Sequence, residues 1–278
     1  MQHNEFVFAG DGGIQLWGQN WLPDGTARAV FVIVHGLGEH SGRYFNLLGP
    51  LTEAGVEVWS YDLRGHGRSP GQRGHILHWS EYRDDLDLFL AYIRTAQPAK
   101  PLFLYGHSLG AMIVAEYVLR ESPVVAGVIL SALATEPVGV ATPVLIMIAR
   151  LLSRIWPTFT LASGLDSTAI SRIPEVVQAY QQDPLVHDRS TTRFATEGLA
   201  AIDFIRANTS KINLPLLVIH GSADRIAAVS GSQTFYDGAS SPDKELWILP
   251  ERFHESHNDL GSEGYLGRLR DWVVRHIG

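Results

Sequence analysis

The chain has 278 residues, of which 45% are hydrophobic and 18% charged, with a formal net charge of −7. This composition is that of a globular protein, so it excludes a disordered or a collagen-like chain. There is no cysteine, which excludes disulfides, thiolate zinc sites, iron–sulfur clusters and a cysteine nucleophile. The negative charge and the lack of a basic block argue against a nucleic-acid partner.

No targeting segment is recognisable. Residues 1–5 lack the basic and apolar regions of a secretory signal. The longest apolar run, Val138–Ala149, is interrupted by Thr142 and Pro143, and it is shorter than the roughly 20 residues that a membrane-spanning helix needs. We therefore expect a cytoplasmic protein whose contact with a membrane, if it has one, is peripheral.

The predicted elements begin with a β-hairpin, in which two strand patterns flank Asp11-Gly12-Gly13. Ala29–Val34 is a continuous, mostly β-branched run, typical of a strand that is buried on both faces. Similar runs occur at Glu57–Tyr61, Leu102–Tyr105, Val124–Leu130, Leu214–Ile219 and Glu245–Leu249. Helical patterns lie between and after these strands, at Tyr44–Ala54, Trp79–Ala96, Leu109–Arg120 and Glu263–His276.

This alternation of strands and helices predicts an α/β fold with a mostly parallel central sheet flanked by helices. One stretch interrupts it, because no strong strand pattern occurs between about residues 135 and 208. That stretch opens with the apolar segment Val138–Trp156 and continues through turn-like and helical pieces. We interpret residues 135–208 as a helical cap inserted into an α/β core, which comprises residues 1–134 and 209–278.

The strongest chemical signal is the G-x-S-x-G pattern Gly106-His107-Ser108-Leu109-Gly110. A strand pattern precedes it and a helix pattern follows it, which is the setting of a nucleophile elbow. Such a turn holds its serine above the edge of the sheet, and the helix N-terminus behind it favours developing negative charge. The pattern therefore predicts that Ser108 is a catalytic nucleophile.

A serine nucleophile needs a base, and the base needs an acid that orients it. Asp224 lies just past the second-to-last predicted strand, and His254 lies a few residues past the last one. The carboxyl ends of parallel strands meet at one edge of a sheet, so these side chains should lie near Ser108. We predict a Ser108–Asp224–His254 triad, with His257 and, less favourably, His276 as alternative bases.

The oxyanion that forms during acyl transfer needs hydrogen-bond donors. One is predicted to be the backbone N–H of Leu109, directly after the nucleophile. The other should come from the loop after strand Ala29–Val34, where we choose the N–H of Leu37 in His35-Gly36-Leu37-Gly38.

Two other interpretations are weaker. Gly36 and Gly38 follow a strand, as in a dinucleotide fingerprint, but the third glycine would fall on Ser41. His254-Glu255-Ser256-His257 lacks the H-E-x-x-H spacing of a zinc protease. We therefore expect neither a cofactor nor a metal, and we interpret the glycine-rich loop Asp62–Ser69 as structural.

The residues also resemble the monoacylglycerol lipases of the serine α/β-hydrolases, over nearly the whole chain. Matches within the cap matter most, since the caps of these enzymes diverge widely, although Ala111 stands where the family usually has glycine. The resemblance is carried by His35–Tyr44, Asp62–Ser69, the Ser108 elbow, Gly164–Ser167, Asp183-Pro184-Leu185, Gly221–Arg225 and His254.

The resemblance implies an α/β-hydrolase fold whose cap covers an acyl tunnel, with Ser108, Asp224 and His254 as the triad. It also implies that the glycerol head group meets a set of polar residues and that one further histidine lies beside the nucleophile. The residues expected at the head group are Glu39, Arg43 and His257, and the residue beside the nucleophile is His107.

The expected activity is hydrolysis of the ester bond of monoacylglycerols through an acyl-enzyme, without a cofactor. The expected partners are this lipid substrate and, through the apolar cap segment, a transiently bound membrane or micelle surface. The alternatives are a lysophospholipase, thioesterase or broad carboxylesterase on the same scaffold, and an inactive α/β-hydrolase fold that serves as a binding module.

Overall fold

The structure is a computed structural model that describes residues 1–138 and 143–278, with the backbone alone for residues 143–145. Residues 139–142 of the predicted apolar segment thus lie outside the described residues. The strands are β1 (Gln2–Ala9), β2 (Gln15–Leu22), β3 (Ala29–Val34), β4 (Val56–Tyr61), β5 (Leu102–His107), β6 (Gly127–Ser131), β7 (Thr160–Ala162), β8 (Arg189–Thr191), β9 (Leu216–Gly221) and β10 (Lys244–Leu249). The helices are α1 (Phe45–Glu53), α2 (Ser80–Ala96), α3 (Leu109–Glu121), α4 (Pro143–Ile155), α5 (Pro174–Gln182), α6 (Thr192–Asn208), α7 (Val229–Gly238) and α8 (Ser262–Arg275).

The central sheet has the order β1-β2-β4-β3-β5-β6-β9-β10. The hairpin strands β1 and β2 are antiparallel, β2 pairs antiparallel with β4, and the pairs from β4 to β10 are parallel. The prediction of a mostly parallel α/β sheet is therefore confirmed. Its parallel strands all direct their carboxyl ends to one edge, where the loops after β3, β5, β9 and β10 lie together.

The core lies on both faces of this sheet, because successive side chains of a strand point to opposite faces. In β3, Val30, Val32 and Val34 pack on the face covered by α2, α3 and α6. Phe31 and Ile33 pack on the other face, against α1 and α8. This burial on both sides explains why β3 is apolar throughout rather than alternating.

One strand begins later than predicted. Val124 was expected to open β6, but its side chain is 90% exposed and the strand starts at Gly127. The cause is the end of α3, where Ser122 caps the helix in a left-handed conformation with φ 48° and Pro123 follows. The chain reaches the sheet only at Ala126, whose N–H donates to Leu102 O at 2.7 Å.

The cap region contains α4, α5 and the first part of α6, together with the short two-stranded sheet of β7 and β8. α4 packs on α6, and the hydroxyls of Ser153 and Thr196 lie 2.8 Å apart between them. Further along α6, Ile202 and Ile205 belong to the core of the sheet. One continuous helix therefore links the cap to the core, and the boundary at residue 208 stays a prediction.

Candidate active site

Ser108 lies on the sharp turn between β5 and α3 that the sequence predicts. Its backbone has φ 54° and ψ −114°, a strained conformation for a residue with a side chain. The turn requires close packing, because a Cβ on Gly110 would lie 2.0 Å from the carbonyl oxygen of Val34. The Ser108 N–H donates to Ser131 O at 2.9 Å, so the strained turn is anchored to the neighbouring strand.

Asp224 and His254 form a short hydrogen bond beside this turn. The His254 Nδ1–H donates to Oδ2 of Asp224 at 2.7 Å, while Oδ1 accepts the N–H of Ile226 at 2.8 Å and of Ala227 at 3.0 Å. Burial alone would raise the pKa of the Asp224 carboxyl, but His254 and His220 hold that pKa well below its usual range. The carboxylate is therefore charged at neutral pH.

The pKa of His254 also depends on its pairing with Asp224. Burial alone would lower the pKa of the imidazole, but the charge of Asp224 and the hydrogen bond to it raise the pKa above its ordinary value. Because Nδ1 carries the proton that Asp224 accepts, the Nε2 of neutral His254 keeps a free lone pair. The ring is thus in the tautomer that can take a proton from a neighbouring hydroxyl.

Sequence reasoning missed a second histidine at Asp224. His220 is 1% exposed at the end of β9, and its Nε2 lies 3.0 Å from the Ala227 carbonyl and 3.0 Å from Oδ2 of Asp224. Its Nδ1 lies 2.7 Å from the hydroxyl of Ser232 on α7. A polar residue ending an otherwise apolar strand was the available signal, but α7 itself was not predicted, because its sequence contains two glycines and β-branched residues.

Ser108 and His254 line one cavity. The core and the cap both contribute to its walls, as expected for a site between a sheet edge and an inserted cap. The core side consists of Gly36, Leu37, Glu39, His107, Ser108, Ile226, His254 and Glu255, and the cap side of Leu165, Ser167, Ile170 and Tyr180.

The candidate oxyanion donors lie on two elements. Leu109 is the first residue of α3, so its N–H has no acceptor within the helix. Leu37 lies in the β3 loop, by which we mean residues 35–44, and lines the cavity. The neighbouring Gly36 N–H donates to Oε1 of Glu39 at 2.6 Å.

Glu39 and Arg43, predicted as head-group residues, belong to a buried ionic cluster. Arg43 Nη2 lies 2.8 and 2.7 Å from the two carboxylate oxygens of Glu255, and its Nε lies 3.2 Å from Oε2 of Glu39. The Tyr44 hydroxyl donates to Oε1 of Glu39 at 2.7 Å. Glu39 and Glu255 line the cavity, whereas Arg43 lies behind them, its guanidinium 4.6 Å from the centre of the Tyr180 ring.

Two further histidines pack beside His254. The His107 ring lies 4.9 Å from that of His254 and lines the cavity, and burial together with the neighbouring histidines lowers its pKa well below the ordinary value. His257 is 0% exposed and stacks on Tyr44 at 4.9 Å. Within the described residues, neither ring nitrogen of His257 has a hydrogen-bond partner, and burial lowers its pKa.

The structure pairs His254, and not His257, with Asp224. His276 is at the far end of the fold, where its Nε2 lies 3.0 Å from Asp243. Across residues 1–138 and 143–278, no three His, Asp or Glu side chains form a cluster that could hold a metal ion. Over the same residues, no helix has both the length and the apolar composition to cross a membrane.

Comparisons with known proteins identify the family and the fold. Residues 25–261 match the model of the family described as serine aminopeptidase, S33. The chain is 34% identical to a monoacylglycerol lipase of Mycolicibacterium smegmatis, over 99% of this chain and 98% of that protein. It is 31% identical to human monoglyceride lipase, over 89% and 82% of the two chains. The crystal structure of a monoacylglycerol lipase from Paleococcus ferrophilus is similar, with a TM-score of 0.85 and 30% identity over 99% of this chain and 100% of that one.

Proposed function

This chain belongs to the monoacylglycerol lipase family of the serine α/β-hydrolases, and from that premise we propose that it hydrolyses monoacylglycerols to fatty acid and glycerol. The observation that carries the proposal is the cavity that Ser108 and His254 both line, with Asp224 2.7 Å from Nδ1 of the imidazole. This arrangement supports Ser108 as nucleophile, His254 as base and Asp224 as the orienting acid, the order that acyl transfer requires.

In the proposed reaction, Oγ of Ser108 attacks the ester carbonyl while Nε2 of His254 accepts the hydroxyl proton. The N–H groups of Leu37 and Leu109 bind the oxyanion of the tetrahedral intermediate. The C–O bond then breaks, and His254 returns its proton to the leaving glycerol oxygen. A water molecule, deprotonated by His254, attacks the acyl-enzyme; the bond to Oγ of Ser108 breaks, this oxygen takes the proton back from His254, and the fatty acid leaves.

The walls of the cavity suggest how the substrate is oriented. Leu37, Ile170 and Ile226 offer an apolar surface to the acyl chain, and Glu39 and His107 offer polar atoms to the glycerol hydroxyls. We propose that these two polar residues contact the head group directly. Arg43 and His257 then act indirectly, because they position the carboxylates and rings that form the wall of the cavity.

The exposed face of α4 supports contact with a lipid surface. Met147 is 65% exposed, Leu151 61% and Ile155 70%, and Trp156 directly after the helix is 57% exposed. Apolar residues exposed together at helical spacing are typical of a surface that meets a membrane or another protein. Since the proposed substrate dissolves in membranes, we propose that this face rests on the lipid from which the substrate enters.

The test compares substrates that share one acyl chain. A monoacylglycerol series from short to long chains is assayed beside the lysophospholipid and the acyl thioester, with di- and triacylglycerol as controls. We expect the monoacylglycerol to have the highest kcat/KM. A higher value for the lysophospholipid or the thioester would overturn the proposed substrate.

The nucleophile is tested separately. Ser108→Ala should lower kcat by a factor on the order of 10⁶, because triad members act as a unit. A fluorophosphonate should label wild type and fail to label Ser108→Ala, with circular dichroism confirming that the variant is folded. Retention of more than a few per cent of the activity would overturn the mechanism.

A further inference from the structure

The cap contacts the β3 loop directly after Leu37, at Gly38 and His40. The contacts come from residues 183–191, which we call the docking segment. The His187 N–H donates to the Gly38 carbonyl at 2.8 Å. Asp183 Oδ2 lies 2.9 Å from Nε2 of His40, which is the donor because Nδ1 of the same ring accepts the Gly42 N–H.

The fit at Gly38 is too close for any side chain. Gly38 has φ +76°, and a Cβ at this position would lie 2.2 Å from the carbonyl oxygen of His187. The backbones of Gly38 and His187 are therefore in direct contact. This contact lies one residue after Leu37, the proposed oxyanion donor.

Leu37 is thus held from both sides. On the core side, the carboxylate of Glu39 fixes the Gly36 N–H at 2.6 Å. On the cap side, the docking segment fixes the Gly38 carbonyl and, through Asp183, the His40 ring. The carbonyl of the same peptide, Gly36 O, accepts from Nδ1 of His35 at 2.8 Å, so the docking segment acts on the Leu37 N–H from the Gly38 side, through the dihedral angles of Leu37 and Gly38.

We propose that the docking segment is a positioning element for the oxyanion hole: Asp183 and His187 complete, from the cap side, the restraint that gives the Leu37 N–H its working orientation. The inference rests on the proposed function of Ser108. It gives the cap a part in the chemical step, in addition to covering the acyl chain. A contact that only kept the cap shut would affect substrate entry and leave the oxyanion hole unchanged.

The test uses Asp183→Ala together with a matched control that removes a different core contact of the same segment. His75→Ala removes the 3.0 Å contact between Nδ1 of His75 and the hydroxyl of Thr191, which also joins the core to the docking segment but lies away from the β3 loop. Asp183→Asn keeps one acceptor oxygen, and it carries the test if Asp183→Ala does not fold. The readouts are kcat and KM on a short-chain ester, and Ki for a trifluoromethyl ketone, whose adduct with Ser108 places an oxyanion in the hole.

For Asp183→Ala we expect kcat to fall and Ki to rise, each by about 10-fold or more, with KM within about 3-fold of wild type. For Asp183→Asn, kcat and Ki should lie between those of Asp183→Ala and wild type. His75→Ala should match wild type in kcat, KM and Ki. An unchanged kcat and Ki in folded Asp183→Ala, or equal losses in His75→Ala, would overturn the inference. If Ser108→Ala stayed active, the proposed function itself would fail instead.

Discussion

Nε2 of His220 lies 3.0 Å from Oδ2 of Asp224, the same oxygen that accepts the hydrogen bond of His254. His220 is buried, bound to Ser232 through its other nitrogen, and Nε2 also lies 3.0 Å from the Ala227 carbonyl, so it packs against both the carboxylate and the turn that holds it. We predict that His220→Ala lowers kcat by about 10- to 100-fold on a short-chain ester, since a misplacement of about 1 Å can cost 10²-fold. KM should change little.

The control for that prediction is His220→Gln, whose side-chain amide can still donate toward Asp224. It should recover part of the lost kcat. A folded His220→Ala enzyme with wild-type kcat would mean that the backbone N–H groups of Ile226 and Ala227 suffice to orient Asp224.

The pH dependence of activity should follow the titration of His254. Its pKa is raised above the ordinary value of 6.5, because the nearby Asp224 carboxylate outweighs the effect of burial. The base must be neutral to accept a proton, so activity is lost as pH falls through this raised pKa. We therefore predict that kcat/KM for a short-chain ester is half-maximal on its acid side above pH 6.5.

Asp224→Asn supplies the comparison for the pH profile. Without the charge of the carboxylate, the acid limb should move to lower pH, while kcat falls by roughly 10⁴ because the imidazole loses its orienting partner. An acid limb at the same pH in both enzymes would show that another group governs it.

Arg43 should be a determinant of stability as well as of substrate binding. It neutralises two carboxylates, Glu39 and Glu255, which are only 3% and 2% exposed. Removing one partner of a buried ion pair leaves an uncompensated charge and costs about 3–5 kcal/mol. We predict a loss of this size in the free energy of unfolding of Arg43→Ala, measured by urea denaturation.

An exposed arginine gives the matched control for Arg43. Arg68 pairs with Glu5 at 3.0 Å, but both side chains are about half exposed. Arg68→Ala should therefore cost about 1 kcal/mol or less. Equal losses for the two variants would contradict the burial argument.

The apolar face of α4 is tested by replacing Met147, Leu151 and Ile155 together with serine. These side chains are exposed, so the variant should fold and keep its activity on a soluble short-chain ester. Binding to lipid vesicles and turnover of long-chain monoacylglycerol should fall, because the face that rests on lipid has become polar. The control is Val124→Ser, at an apolar residue outside the cap that is 90% exposed. It should change neither vesicle binding nor long-chain turnover. Unchanged long-chain turnover in the triple variant would contradict the proposal.

Helical spacing alone does not show which residues of α4 face solvent. Ser153 recurs with Arg150 and Arg154 at helical spacing, which by itself predicts a polar edge. In the structure Ser153 is buried against Thr196, and Leu152 is half-buried. The polar serine faces inward because α6 offers it a hydroxyl partner, which periodicity along α4 alone could not indicate.

Much of the site could be predicted because it depends on strand ends. Ser108, Asp224 and His254 each follow an apolar run, and parallel strands bring their carboxyl ends to one edge. The ionic cluster could not be predicted in this way. Arg43 and Glu255 are 212 residues apart, and neither belongs to a pattern that identifies the other, so their pairing emerges only from the packed loops.

The position of β10 has a consequence for how the enzyme loses activity. This strand ends the sheet, where it pairs with β9, and the loop after it carries both His254 and Glu255. Edge elements open by local fluctuations that leave the interior of a fold intact. If β10 alone detached, His254, the proposed base, would separate from Asp224, and Glu255 would separate from Arg43, in a single event. Inactivation in mild denaturant should therefore precede global unfolding, and amide hydrogens of β10 should exchange before those of β3 and β5.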